Sequence, residues 1–167
     1  MKMIRLKEVK QEERNLLWNI HQKYLYEMTS YYPDKMDTNG NYHYGYFDAY
    51  FTERERKALF IFNDDLLIGF AMLNPYSYLN HKPDLVIAEF TIFPSYRGRH
   101  YAEDAAWLIL DAFPGRWEIK FHENNIGAKK LWEMVTRRYN PTVYRLSDYE
   151  TVLEFSNQPG CLYEENR

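Results

Sequence analysis

From Pro94 to Ala102 the chain reads PSYRGRHYA, and residues of these types in this order can hold a phosphate. A run of strand formers (Leu85, Val86, Ile87, Phe90, Ile92, Phe93) stops at Pro94. The basic turn Ser95-Tyr96-Arg97-Gly98-Arg99 then leads into a helical pattern. The first N–H groups of a helix have no partner inside it, and the helix dipole favours negative charge there. Arg97 and Arg99 would add formal charge and donors shaped for phosphate. The combination predicts a grip on a phosphorylated cofactor.

The elements that must position this turn follow from hydrophobic periodicity. Met3 to Leu6 alternates as a short strand, and Gln11 to Ser30 carries Leu17, Ile20, Tyr24 and Met28 at helical spacing. Pro33 ends that helix, a loop covers Thr38 to Asn41, and a second helix is expected over Tyr44 to Glu55. Lys57 to Phe62 and Leu66 to Leu73 flank Asn63-Asp64-Asp65 as a hairpin. The strand at Leu85 to Phe93 precedes a helix over Arg99 to Phe113, broken at Pro114-Gly115. Trp117, Ile119 and Phe121 alternate with Glu118, Lys120 and His122 as a strand, and Asn125 to Arg138 reads as a helix. Thr142 to Leu146 and Thr151 to Phe155 complete the pattern as strands. The order is that of one α/β or α+β domain over residues 1–156, with a polar tail at 157–167.

Composition narrows the function. A chain of 167 residues with 46% hydrophobic and 27% charged residues suits one sizeable core. A net charge of -3 argues against general nucleic-acid binding, which needs a basic face. The single cysteine, Cys161, allows no disulfide within the chain and suits a reducing compartment. No apolar run approaches the ~20 residues of a membrane span, and the N-terminus lacks a signal-peptide pattern. The expectation is a cytoplasmic protein with no nucleic-acid or membrane partner and no metal.

Two motifs carry a resemblance. Arg97-Gly98-Arg99-His100-Tyr101-Ala102 lies between strand and helix, after Pro94 and Tyr96. Asn125 is followed by Ala128 and by the pair Leu131-Trp132. On these residues the chain resembles the GNAT superfamily of acyl-CoA-dependent N-acyltransferases, over most of its length and most sharply from Leu85 to Trp132. The resemblance implies a mixed, mostly antiparallel sheet of about six to seven strands flanked by about four helices. It also implies that backbone amides from Arg97 through Gly98, Arg99, His100 and Tyr101 to Ala102 bind the CoA pyrophosphate. The main chain near Ile92 and Phe93 would pair with the pantetheine arm, and Asn125 would reach that arm from the next helix. Ala128 would leave room for the ligand, and Trp132 would border the thioester.

Two positions depart from the family pattern. His100 stands where glycine is usual. It either points away from the phosphates, as a tolerated solvent-facing residue, or adds a donor to them. Trp132 stands where many members place a tyrosine that protonates the departing thiolate. Indole is not a practical acid, so the thiolate leaves with little help, another group supplies the proton, or Trp132 simply packs the wall.

Within this frame acetyl is the expected acyl group, delivered from acetyl-CoA to an amine by direct attack. The nucleophile must be neutral, so a base is needed. Glu89, a carboxylate inside an apolar strand, is the first candidate, since burial would raise its pKa. A solvent-facing or ion-paired carboxylate is the competing reading. His122 is the second candidate, and a surface histidine is its simpler alternative. A strand N–H near Ile92 would hold the oxyanion.

Half of the 16 tyrosines lie between Tyr24 and Phe51, among Glu27, Asp34, Asp37 and Asp48. Aromatic faces with carboxylates attract cations, so this segment suits a cationic amine, with Tyr31, Tyr32 and Tyr44 nearest the loop. Packing of the helices onto the sheet accounts for most of the other tyrosines. The acceptor is thus a small-molecule or peptide amine of unspecified identity. A homodimer is compatible with the exposed aromatics. The rival reading is a non-catalytic acyl-CoA-binding sensor, and a structural interaction domain is a third.

Overall fold

The computed structural model describes residues 3–159. Cys161 and most of the expected polar tail lie outside these residues. Seven strands form the sheet: β1 (Ile4–Glu8), β2 (Lys57–Asn63), β3 (Leu66–Asn74), β4 (Leu85–Ile92), β5 (Arg116–His122), β6 (Thr142–Arg145) and β7 (Glu150–Ser156). The helices are α1 (Arg14–Met28), α2 (Ala49–Thr52), α3 (Tyr101–Ala112) and α4 (Ile126–Thr136). The strand order is β1-β2-β3-β4-β5-β7-β6. Every adjacent pair is antiparallel except β4 and β5, so the expected mixed sheet is present.

Differences from the sequence reading have local causes. β1 runs on to Glu8, which pairs with Leu59, because β2 offers a full antiparallel edge. The second helix shrinks from Tyr44–Glu55 to the single turn Ala49–Thr52. Its aromatics still face inward, with Tyr50 buried from that one helical turn and Phe47 from the turn before it. α3 starts at Tyr101 rather than Arg99, since Gly98 (φ 75°) and His100 (φ 63°) are left-handed and cannot continue a helix backward.

Two apolar layers cover the sheet. Ile87, Ala106, Ile109, Trp117, Ile119, Trp132 and Leu153 join α3 and α4 to one face. Leu17, Phe47, Tyr50, Phe60, Phe70 and Met72 join α1 and α2 to the other. Fully buried side chains such as Trp117 and Phe70 contribute roughly 1.5–3 kcal/mol each. Gly69 lets β3 and β4 close up, because a Cβ there would meet the Thr91 carbonyl oxygen at 2.2 Å. After β7, Asn157 still belongs to the packed domain. Its Oδ1 accepts from Gly115 N–H at 2.7 Å, and its Nδ2 donates to the Leu110 carbonyl at 2.7 Å.

Candidate active site

β4 and β5 pair only from Leu85 to Ile87 against Trp117 to Ile119, then separate. The breach opens a cavity of about 1170 Å³ that passes from one face of the sheet to the other. Ala102, Asn125, Ala128 and Trp132 line it on the α3/α4 side, and Tyr24, Tyr44, Tyr78 and Lys120 on the α1/α2 side.

The pleat of β4 sorts its residues between the two sides. Glu89 and Thr91 register with Met72 and Phe70 of the α1/α2 layer, whereas Phe90 registers with Ala71 of the opposite layer. Met72 opposes Glu89 and Leu73 opposes Ile87, so Ala88 is an extra, bulged residue just before Glu89. Phe93 N–H donates to the Ile68 carbonyl on the β3 side at 2.8 Å, and the Phe93 carbonyl accepts from Tyr96 N–H at 2.9 Å. Main-chain groups alternate between edges along a strand, so Phe90 and Ile92 turn theirs toward the breach. This narrows one expectation: the Phe93 N–H is taken and the Ile92 carbonyl accepts from Arg97 Nε and Thr91 Oγ1, so the edge left for a pantetheine arm is the Phe90 main chain with the Ile92 N–H.

Arg97 requires a second correction. Its guanidinium does not extend toward the helix start. Nε donates to the Ile92 carbonyl at 2.7 Å, and Nη2 donates to Thr91 Oγ1 at 3.2 Å and lies 2.8 Å from Glu27 Oε1. The side chain therefore braces strand, loop and α1. The Arg97 main-chain N–H, expected among the phosphate donors, is engaged as well: it donates to the Pro94 carbonyl at 3.2 Å. His100 explains the family's glycine: the position is left-handed, where a side chain is strained. Its ring is largely exposed and sits 3.1 Å from Glu103 Oε2.

Asn125 caps α4, its Oδ1 accepting from Ala128 N–H at 3.2 Å. That leaves the amide N–H₂ as the group able to reach a ligand. Trp132 is buried and meets Phe90 edge-on at 5.0 Å.

On the α1/α2 side, burial raises the Glu89 carboxyl to about 7, while the Tyr24 and Tyr44 hydroxyls beside it and the more distant Lys120 pull the other way. Burial also pushes the Tyr44 and Tyr78 phenols far up and Tyr32 to about 12, so all three are neutral donors. Tyr31 and Tyr32 pack against His122 at 5.5 and 5.3 Å. His122 is buried, and its Nδ1 accepts from Asn124 N–H at 3.1 Å. That bond takes up the Nδ1 lone pair, so Nε2 is the ring nitrogen left to face a ligand, and of the two base candidates read from the sequence it is Glu89 whose carboxylate stands at the breach. Glu123 is occupied by Lys129 and Thr151.

Alternation along β5 separates its two faces without saying what covers the polar one. Glu118 is fully buried, not solvent-facing; it accepts from Ser77 Oγ and, at 2.7 Å, from Tyr78 N–H. It thereby pins the loop that places Tyr78 near Glu89. His81, Glu118 and Glu154 have ligand-type atoms within 4.8 Å of one another. Hydrogen bonds already engage all three, with His81 Nδ1 and Glu154 Oε2 at 2.6 Å. Tyr78, Lys120 and Thr91 join the site without any motif to announce them.

A breached sheet, a left-handed turn before a helix and a carboxylate at a strand bulge agree with the acyl-CoA-dependent N-acyltransferase class that the sequence resembles. The chain belongs to the acetyltransferase (GNAT) family, whose model matches residues 15–135. Solved structures share the fold at low identity. An acetyltransferase from Thermus thermophilus superposes with a TM-score of 0.65 at 13% identity, covering 92% of this chain and 97% of that one. The GNAT domain of S. lividans PAT gives 0.63 at 14%, covering 92% and 90%. Arabidopsis thaliana NAA60 in complex with acetyl-CoA gives 0.62 at 10%, covering 93% and 99%. No curated protein matches the chain in sequence. Among the described residues, no helix is long and apolar enough to cross a membrane.

Proposed function

We propose that the protein transfers acetyl from acetyl-CoA to the primary amine of a small-molecule or peptide acceptor, by direct attack while both are bound. The observation that carries this reading is Glu89. It is a carboxylate raised to about 7 at the breach through which a thioester and an amine can meet. The amides of Gly98 to Ala102 and the start of α3 hold the pyrophosphate. The Phe90 and Ile92 edge pairs with pantetheine, Asn125 donates to it, and Ala128 and Trp132 shape its wall. Glu89 takes a proton from the bound ammonium and the freed amine attacks the acetyl carbon; as the tetrahedral intermediate collapses the C–S bond breaks, CoA leaves as the thiolate, and the second proton lost by the nitrogen passes to that thiolate or to solvent. A β4 N–H near Ile92 holds the oxyanion.

The test is calorimetry with acetyl-CoA, followed by thiol release across an amine panel. Binding with amine-dependent release that collapses in Glu89→Gln supports the proposal. Binding without release from any amine favours the sensor reading instead.

A further inference from the structure

The acceptor side of the cavity has an uneven charge pattern. Each cation that lines it already has a carboxylate: Arg97 with Glu27 at 2.8 Å, Lys120 with Glu150 at 2.7 Å, and Arg56 with Glu53 at 2.6 Å. Glu89 has no ion pair among the described residues; Lys120 acts on it only through charge, without a direct contact. The carboxylate there is uncompensated whenever it is ionised. Asp34, exposed at the rim, adds further negative charge.

The walls already seat cations on aromatic faces. The Lys120 ammonium lies 4.9 Å from the Tyr78 ring centroid and 5.8 Å from that of Tyr32. The Arg56 guanidinium lies 4.9, 5.4 and 4.5 Å from the rings of Tyr46, Tyr50 and Tyr76. These separations are within the range where a ring quadrupole attracts a cation. An incoming ammonium meets the same chemistry beside Tyr24 and Tyr44, with Glu89 as its counter-ion. A carboxylate on the adjacent carbon enters the same space as the Glu89 carboxylate. It finds phenol hydroxyls there, but every guanidinium and ammonium is already paired.

We propose that the acceptor binds as an organic ammonium with no carboxylate next to its nitrogen: alkyl- and arylalkyl-amines are taken, and free α-amino acids are refused. This inference rests on the acetyl-transfer reading above. Like-charge juxtaposition at a desolvated site predicts a preference of at least about a hundredfold.

The experiment pairs each amino acid with its decarboxylated amine: valine with isobutylamine, and phenylalanine with phenethylamine. Valinamide serves as a control that keeps the bulk and removes the charge. Acetyl transfer is read as kcat/KM with acetyl-CoA, and binding by calorimetry on the intact protein saturated with CoA. The expected order puts isobutylamine and valinamide about a hundredfold above valine in both readouts. In the binding arm, Glu89→Gln is expected to shrink that ratio to within about threefold. Valine binding as well as isobutylamine, valinamide refused along with valine, or a ratio unchanged in Glu89→Gln would each overturn the inference. No thiol release from any amine, with the binding order intact, would sink acetyl transfer and leave this selectivity standing.

Discussion

Arg97 Nε lies 2.7 Å from the carbonyl oxygen of Ile92, five residues earlier in the chain. The same guanidinium reaches Thr91 and Glu27, so one side chain ties the phosphate turn to β4 and α1. Arg97→Met is expected to weaken CoA binding about tenfold, roughly the worth of one charge-assisted hydrogen bond. The salt dependence of binding should stay as in the parent protein, because no phosphate contact is lost. Calorimetry at two ionic strengths checks this, and a flattened salt response would assign the guanidinium to the phosphate after all.

On the proposed mechanism, Glu89 sets the pH profile of turnover. A base works when ionised, so kcat/KM should rise with pH through about 7 and level off above it. Glu89→Gln should lower kcat by about 10²–10⁴ with CoA affinity retained. The Tyr24 hydroxyl favours the ionised carboxylate, so Tyr24→Phe should move the rising limb to higher pH. A profile unmoved in both variants would remove Glu89 from the role.

The same carboxylate should cost stability. Its pKa rises from 4.5 to about 7 on folding, so between those values the folded state holds more protons than the unfolded one. Stability contributed at Glu89 is therefore full below 4.5 and is lost as pH rises through 7. Glu89→Gln removes the loss and should gain on the order of 3 kcal/mol at pH 8, with little gain at pH 4. Urea unfolding at the two pH values decides it.

His21 should act in the opposite sense. It is fully buried against Tyr44 at 4.3 Å, neither ring nitrogen has a hydrogen-bond partner among the described residues, and burial lowers its pKa to about 4. The unfolded state takes up the proton first, so stability is full above 6.5 and falls as pH drops toward 4. His21→Phe should abolish that acid limb, worth about 3 kcal/mol at its lower end, and leave neutral-pH stability equal or higher. An unchanged limb in the variant would assign the acid sensitivity elsewhere.

His100→Gly should relieve a left-handed side chain at the turn. The expected gain is up to about 1 kcal/mol, and the exposed pairing with Glu103 offsets little of it. CoA affinity should hold or improve. Thermal melts with and without CoA measure both, and a clear loss of affinity would give the imidazole a role at the phosphates.

The turn and its flanking elements were legible because local chemistry dictates them. Pro94, Gly98 and the alternation of β4 need no distant partner to be read. The orientation of side chains was not. Arg97 follows β4 because Ile92 has a carbonyl facing the breach, a fact of pairing three strands wide. Glu118, Lys120 and His122 could be assigned to one face of β5, since periodicity tells one face from the other but not what covers it. Here Tyr31 and Tyr32, just after α1, and the β3–β4 loop roof that face, and this turns an ordinary polar stripe into a wall of the cavity. Tyr44 was placed near the loop correctly, while the helix proposed around it was not, because burial of aromatics at irregular spacing mimics a helical stripe.

The seam between β4 and β5 spans only three residue pairs. Mechanically the sheet is two stiff plates, β1–β4 and β5–β7, sharing a short weld. A pantetheine arm lying in the gap would bond to the Phe90 and Ile92 edge and rest against α4, so the cosubstrate would serve as mortar between the plates. Amide hydrogen exchange should then slow on loading CoA at Phe90 and Ile92, while the long β2–β3 ladder exchanges as before.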